Sequence, residues 1–259
     1  MPSNMDRTLV LSETREHIAF LTLNHPEKRN ALSQAMLQSL LEHFERIGQD
    51  RNIRVVILRA NGPAFSSGHD LRELAGGEED GYAALFDLCT RVMESIRRLP
   101  QPVIAQVHGL ATAAGCQLVA TCDLVVASED ATFATPGVKI GLFCSTPGVA
   151  LARAVSSKKA MEMLLTGAPI SACEAERIGL VNRVVPDARL ADETLALARQ
   201  ISAASAPTVA LGKKTYYRQL PLDYPDAYAV AQEAMVENAQ QGDAQEGIRA
   251  FLEKRPPKW

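Results

Sequence analysis

The residues of this chain best suited to chemistry lie in Val103 to Ala127, VIAQVHGLATAAGCQLVATCDLVVA. Val103, Ile104 and Val107 read as strand, Gly109 breaks the run, and Leu110 to Gly115 form a loop of small residues. Cys116 to Thr121 read as a short buried helix, and Leu124 to Ala127 as another buried strand. Small side chains let a ligand approach the backbone. A helix start leaves N–H groups unpaired and carries partial positive charge. The stretch reads as a seat for a negative oxygen.

Side-chain candidates are few. His69, in the segment AFSSGHDLREL, carries an imidazole that titrates near neutral pH, but its backbone rather than its imidazole is expected to act, and His25, His43 and His108 fit loop, helix and strand-end roles. Cys89, Cys116, Cys122, Cys144 and Cys173 have no zinc-site spacing and read as reduced packing thiols. Cys144 has no base within a few residues to make it a nucleophile. Asp70 reads as a helix cap and Asp123 as a structural carboxylate. For Arg72, a phosphate contact and a solvated surface role both stay open.

The elements that must position these groups follow from periodicity. Leu9 to Leu11 and Ile18 to Leu23 read as an opening hairpin. Ala31 to Ile47 reads as an amphipathic helix capped by Asn30 or Ser33. Val55 to Leu58 is a buried strand. Ala64 to Leu74 passes through a glycine turn into a helix. Glu78 to Leu99 is helical, with Gly81 the candidate breaking point. Phe133 to Gly148 reads as a Gly-, Pro- and Thr-rich loop, and Lys158 to Leu165 as a helix closed by Gly167. Ser171 and Glu174 make a capping box, Val181 to Val185 is a last strand, and only helices follow from Leu190. Strands separated by helices predict an α/β sheet core, with the final helices as a separate layer.

The bulk numbers narrow the function classes. The chain has 259 residues, 47% of them hydrophobic and 22% charged, which suits one large domain with at most a small appendage. The net charge of −3 without a long basic run argues against nucleic acid as a partner. No apolar run is long enough to span a bilayer. The N-terminal MPSNMDRTLV lacks the pattern of a secretory signal, so a soluble cytoplasmic protein is expected.

Several segments together resemble the crotonase, or enoyl-CoA hydratase/isomerase, superfamily. HPEKRNAL, AFSSGHDLREL, PVIAQVHGLATAAGCQLVATCDLVVASEDATFATP, LLTGAPISACEAERIGLVNRVVP and EGIRAFLEKR occur in the family's order and cover nearly the whole chain. The resemblance implies an α/β, crotonase-like (ClpP/crotonase) spiral of β-β-α units over residues 1–200. Residues 201–259 would be a helical trimerisation region, giving a homotrimer or a hexamer of paired trimers. It implies an acyl-CoA thioester ligand, with coenzyme A entering as part of the substrate and no prosthetic group or metal. It also implies that the backbone N–H groups of His69 and Ala114 hold the thioester oxygen as an enolate forms. By the same carry-over, Lys28, Arg29, Ala31, Ser67, Asp70, Leu71, Leu110 and Pro136 would line the coenzyme A path. Phe251 and Lys254 would reach a neighbouring subunit's coenzyme A.

The chain departs from the resemblance at two positions. Where the family's hydratases carry one glutamate in the helix after the small-residue loop, this chain has Gln117. Where they carry a second after the proline of the next loop, it has Gly137. An amide cannot take a proton from water near neutral pH, and glycine has no side chain. General acid–base groups typically contribute about 10²–10⁴ in rate each, so efficient hydration is not expected. Three readings remain open: enolate-stabilising chemistry without water addition, such as decarboxylation of a malonyl-type thioester; hydration or isomerisation by a base not located in the sequence; and acyl-CoA binding without turnover.

Overall fold

A computed structural model describes residues 8–259; the segment 1–7, which holds most of the stretch examined for a secretory signal, lies outside the described residues. The chain opens with an antiparallel hairpin, β1 (Val10–Arg15) and β2 (Ile18–Leu23), followed by helix α1 (Gln34–Gln49). It then winds as a spiral in which each turn places one strand in each of two sheets. The pairs are β3 (Val55–Ala60) with β4 (Ala64–Ser66), β5 (Val103–Val107) with β6 (Leu110–Thr112), and β7 (Leu124–Ser128) with β8 (Thr132–Ala134). Helices α2 (Leu71–Leu74) and α3 (Glu79–Arg98) follow the first turn, and α4 (Ala114–Thr121) follows the second. Helices α5 (Ser145–Ala154) and α6 (Ser157–Thr166) follow the third. Strand β9 (Ile170–Ser171), helix α7 (Ala172–Arg177) and strand β10 (Arg183–Val185) complete it. One sheet has the order β1-β2-β3-β5-β7-β10, the other β4-β6-β8-β9. This is the expected spiral of β-β-α units.

The large sheet is covered on both faces, which is why β2, IAFLTL, is buried at every position. Alternation sorts its side chains: Ala19, Leu21 and Leu23 join the main core with the apolar face of α1, while Ile18 and Phe20 face the other way. There, with Val55, Ile57, Ile104 and Val126, they meet Leu190, Leu197 and Ala198 of α8 (Leu190–Ser202). Helix α8 therefore belongs to the sheet rather than to a separate helical layer. That layer is formed by α9 (Ala206–Gln219), α10 (Tyr224–Gln240) and α11 (Gly242–Leu252).

A buried cluster fastens this layer to the core. Lys213 Nζ on α9 donates to the carbonyls of Ile96 and Gln101, both at 2.9 Å, and to Asp123 Oδ2 at 2.6 Å. The same Asp123 oxygen accepts the Val103 N–H at 2.7 Å, and its other oxygen accepts the Tyr217 hydroxyl at 2.8 Å. All three ammonium protons have acceptors, as a buried charge requires. The structural role expected for Asp123 is the one observed.

Four local expectations change. Leu110–Thr112 is strand β6, because it pairs with both β4 and β8. Helix α4 starts at Ala114, earlier than expected. The region from Phe133 to Gly148 holds the end of β8, a 3-10 helix (Pro136–Ile140) and the start of α5. Helix α3 runs unbroken through Gly81, whose position is open to solvent. Ser33 rather than Asn30 caps α1, its Oγ accepting the Met36 N–H. Asn30 instead joins loops, donating Nδ2 to the carbonyls of Asn61 and Ala64 at 2.8 Å and accepting the His25 N–H on Oδ1.

Candidate functional site

Two turns at the carboxyl ends of β4 and β6 come together at one place. Gly68 follows β4 with φ +84°; a Cβ there would lie 2.8 Å from Ala113 Cβ and 3.2 Å from Ala114 N. Only glycine lets the 68–69 turn lie this close to the start of α4. Gly115 is equally constrained, since its Cβ would fall 2.5 Å from the Ser66 carbonyl oxygen. Ala113, the N-cap of α4, is held at φ +51° and ψ −120°, a conformation rarely adopted by a residue with a side chain. Its N–H is anchored to the Ala134 carbonyl at 2.9 Å. No side chain caps α4. Among the described residues, no carbonyl or side chain takes up the N–H of either His69 or Ala114.

These turns border a cavity of about 490 Å³. Ser67, His69, Leu71, Ala114, Pro136 and Gly137 from the sequence reading line it, so six expected residues meet at one site. Lys139, Cys144, Ser145 and Thr146, from the segment after β8, also border it. The remaining wall is apolar: Leu74 and Phe86 on one side, Ile140, Leu142, Phe143 and Pro147 on the other. Sequence reasoning missed this apolar wall. Its only advance signal was the one-sided spacing of Leu85, Cys89, Val92 and Ile96, which orients α3 without revealing that Phe86 faces a cavity.

The side chain of His69 is held on two sides. Its Nδ1 lies 3.2 Å from the Leu32 carbonyl oxygen, which can only accept, so Nδ1 carries the hydrogen. The Leu32 N–H in turn donates to the Gly68 carbonyl at 2.7 Å. Phe86 stands edge-on to the imidazole, with ring centroids 5.5 Å apart. Nε2 is buried and has no hydrogen-bond partner. Burial pushes the His69 pKa below its ordinary value, against the smaller opposing effect of the Leu32 bond.

The two departures differ in kind. Gln117 is buried on the second turn of α4, with Oε1 unpartnered, and does not border the cavity. At Gly137 a Cβ would lie 2.0 Å from the Leu142 carbonyl oxygen and 2.8 Å from Cys144 Sγ. Backbone therefore occupies the space a side chain would need. No carboxylate borders the cavity among the described residues. Cys144 is buried, and desolvation raises its pKa although the Gly137 N–H works the other way, which fits a packing thiol.

The other expected residues lie around or away from this cavity. Asp70 caps α2, accepting the Arg72 N–H at 3.1 Å, and pairs with Lys28 at 3.4 Å. Burial opposes its charge, but those donors hold its carboxyl below the usual range. Arg29 is exposed at φ +50°. Ala31 is buried ahead of α1, and Leu110 opens β6; neither borders the cavity. Phe251, in the last turn of α11, is 82% exposed, and Lys254, two residues past its end, is exposed; neither borders the cavity. The described residues contain no group of three or more His, Cys, Asp or Glu side chains able to hold a metal ion, and no helix long and apolar enough to cross a membrane.

Comparison with known proteins gives this geometry a context. Residues 13–259 match the sequence model of the family described as enoyl-CoA hydratase/isomerase. Enoyl-CoA hydratase domain-containing protein 3, mitochondrial, from Homo sapiens is 56% identical over 242 residues, covering 92% of this chain and 79% of that protein. The protein of the same name from Mus musculus is 51% identical over 261 residues, covering 100% and 87%. The run GLFCSTPGVALARAV of this chain resembles these proteins within the family. A crystal structure of the human protein matches with a TM-score of 0.95 at 53% identity, covering 97% of this chain and 100% of that one. One of an enoyl-CoA hydratase from Mycobacterium smegmatis matches with a TM-score of 0.96 at 51% identity, covering 98% and 99%.

These relatives correct one expectation. The proteins from Homo sapiens, Mus musculus and Rattus norvegicus all carry "mitochondrial" in their names, which points to the mitochondrion rather than the cytoplasm. The inference failed because compartment is set by an address segment, and testing for a secretory signal says nothing about other addresses. A crotonase-like α/β spiral, matched along nearly its whole length by sequence and by structure, places this chain in the enoyl-CoA hydratase/isomerase family.

Proposed function

We propose that the cavity binds the acyl portion of a coenzyme A thioester, and that the N–H groups of His69 and Ala114 stabilise the oxygen of its enolate. The single observation that carries this reading is that both N–H groups are unclaimed at the wall of an apolar cavity. Such donors act where charge develops and need no particular side chain, and removing one elsewhere typically costs about 10²–10³ in rate. Ser67, Leu71 and Pro136 continue the thioester's path along the wall. Lys28, Arg29, Ala31, Asp70 and Leu110 lie toward the remainder of coenzyme A in this reading. No prosthetic group takes part.

Addition of water is a poor fit to this site. Gln117 offers an amide and Gly137 no side chain, so the paired carboxylates that would activate and deliver water are lacking. The protein is an enolate-stabilising enzyme or, should no turnover occur, an acyl-CoA binder. Decarboxylation of a malonyl-type thioester needs an oxyanion site more than a base and stands as the second reading, favoured by a cavity wall without carboxylates.

Residues 1–200 would form the substrate-binding core and residues 201–259 the assembly region of a homotrimer or hexamer. The exposed Tyr224, Tyr228 and Met235 on α10 and Phe251 and Leu252 on α11 support this. Phe251 and Lys254 would then meet the coenzyme A of a neighbouring subunit. Sedimentation analysis checks the assembly.

The functional test is a panel of enoyl-, malonyl- and methylmalonyl-CoA followed by mass. Binding throughout the panel with crotonyl-CoA hydrated far more slowly than on the order of 10 per second is expected. Hydration at that rate would overturn the reading of Gln117 and Gly137. Absence of coenzyme A thioester binding would overturn the whole proposal.

A further inference from the structure

One charged side chain stands in the wall of the cavity. Among the described residues that line it, Lys139 alone carries a full charge near neutral pH. Burial favours the neutral forms of His69 and Cys144, and the other lining residues are apolar or hydroxyl-bearing. Lys139 lies in the 3-10 helix Pro136–Ile140. Three residues make one turn of such a helix, so residues three apart share a face. Pro136 and Lys139 form one face, Gly137 and Ile140 a second, and all four border the cavity. Val138, on the third face, does not. The helix thus presents Lys139 to the cavity.

The neighbours of Lys139 leave its charge unclaimed. Gly167, at φ +56° just past the end of α6, makes room for its stem: a Cβ there would lie 3.4 Å from Lys139 Cε. Among the described residues, no carboxylate or carbonyl partners the Lys139 ammonium. Lys159, on α6, is by contrast taken up by Glu162 and Glu174. An unpaired lysine on an open surface is satisfied by water. Lys139 is instead exposed beside Ile140, Leu142 and Phe143, apolar side chains that border the same cavity. A carboxylate brought into such surroundings is costly without a partner, and a nearby ammonium attracts it more strongly there than in bulk water. No lining carboxylate competes for that ammonium.

We infer that Lys139 selects coenzyme A thioesters whose acyl chain ends in a carboxylate. Its ammonium pairs with that distal carboxylate, while the apolar wall holds the methylenes between the two ends. The inference rests on the thioester-binding reading above and narrows its substrate class. The two anchors come from different turns of the spiral: the His69 and Ala114 N–H groups follow β4 and β6, and Lys139 follows β8. The distal carboxylate is distinct from the one on the α-carbon of a malonyl-type thioester, and it takes no part in bond making or breaking. Lys139 is therefore a specificity determinant rather than a catalytic residue.

The test is calorimetric titration with chains of equal length that differ at the far end: butanoyl- against succinyl-CoA, pentanoyl- against glutaryl-CoA, and hexanoyl- against adipoyl-CoA. For each pair the ratio of affinities is compared between the unmodified protein and Lys139→Met, which keeps an apolar stem and loses the charge. In at least one pair the ratio should favour the dicarboxylic thioester by about 2-fold or more in the unmodified protein relative to the variant, as an ion pair partly open to solvent provides. Lys139→Arg, which keeps the charge, should keep that preference. Ratios that agree within about 2-fold in all three pairs overturn the inference while leaving the thioester site standing. If all the thioesters weaken together in Lys139→Met, the ammonium serves the phosphates of coenzyme A and the inference is equally overturned. Failure of the unmodified protein to bind any of these thioesters would remove the underlying site and the inference with it.

Discussion

Replacing Gly137 by alanine tests whether this position is closed to side chains. The added Cβ would lie 2.0 Å from the Leu142 carbonyl oxygen and 2.8 Å from Cys144 Sγ. Carbon and oxygen ordinarily approach to about 3.3 Å, so the 142–144 segment would have to retreat by roughly 1 Å. It is not free to do so, because the Leu142 N–H donates back to the Gly137 carbonyl at 3.0 Å. Overpacking of this kind costs about 1–3 kcal/mol. At about 2–4 °C per kcal/mol for a chain of this size, the melting temperature should fall by roughly 2–12 °C. Calorimetry reads the fall, and titration with hexanoyl-CoA should show weaker binding because Leu142 and Cys144 border the cavity. Gly212→Ala, at a helical position with nothing within 4 Å of the new Cβ, is the control and should be neutral or slightly stabilising. Glutamate at 137 meets the same obstruction, so the Gln117→Glu/Gly137→Glu variant should be a less stable protein rather than an efficient hydratase. A Gly137→Ala protein that melts within about 1 °C of the original and binds as well would refute the steric argument.

Further predictions concern charge, thiols and acid stability. Lys213→Met strands Asp123, whose side chain is only 14% exposed; urea unfolding should register a loss of about 3–5 kcal/mol, with partial recovery in Lys213→Met/Asp123→Asn. Of the five cysteines only Cys173 is exposed, and burial pushes Cys89 and Cys116 up to about 12, so a thiol reagent should titrate one group quickly and the rest only on unfolding. Burial lowers the His69 pKa from its ordinary 6.5, so the unfolded chain takes up the proton first on acidification. The stability due to the neutral ring should be complete above about pH 6.5 and drain away below it. His69→Gln should flatten that limb of a urea-midpoint profile in part, since His43, also lowered by burial, acts in the same direction.

The strands of the large sheet, unlike those of the small one, were legible because burial on both faces and β-branched content leave few alternatives for runs such as Ile18 to Leu23. The amphipathic helices were legible from their spacing, and the two turns of the site from their small residues. Strand β6 was not, because three residues between Gly109 and Ala113 acquire strand character only by pairing with β4 and β8, partners 46 and 22 residues away by register. The segment around Ile140 to Phe143 read only as part of a Gly-, Pro- and Thr-rich loop, and its apolar side chains are exposed and serve the cavity rather than a core. Gly137 was recognised as an absence, but that the Leu142 carbonyl fills its place depends on a loop closure invisible in the order of residues. The orphaned Nε2 of His69 was out of reach for the same reason: its direction is set by Leu32, 37 positions earlier.

The carboxylate at Asp123 also bears on how the molecule can be divided. Its cation and its phenol both arrive from α9, whereas its main-chain donor belongs to the first residue of β5. A recombinant fragment stopping at residue 200 would keep the anion and forfeit both distant partners. It would also uncover the carbonyls of Ile96 and Gln101 that Lys213 now occupies. Removing the tail is therefore an operation on the interior. Anyone seeking a minimal version of this protein would do better to redesign that carboxylate first and shorten the chain second.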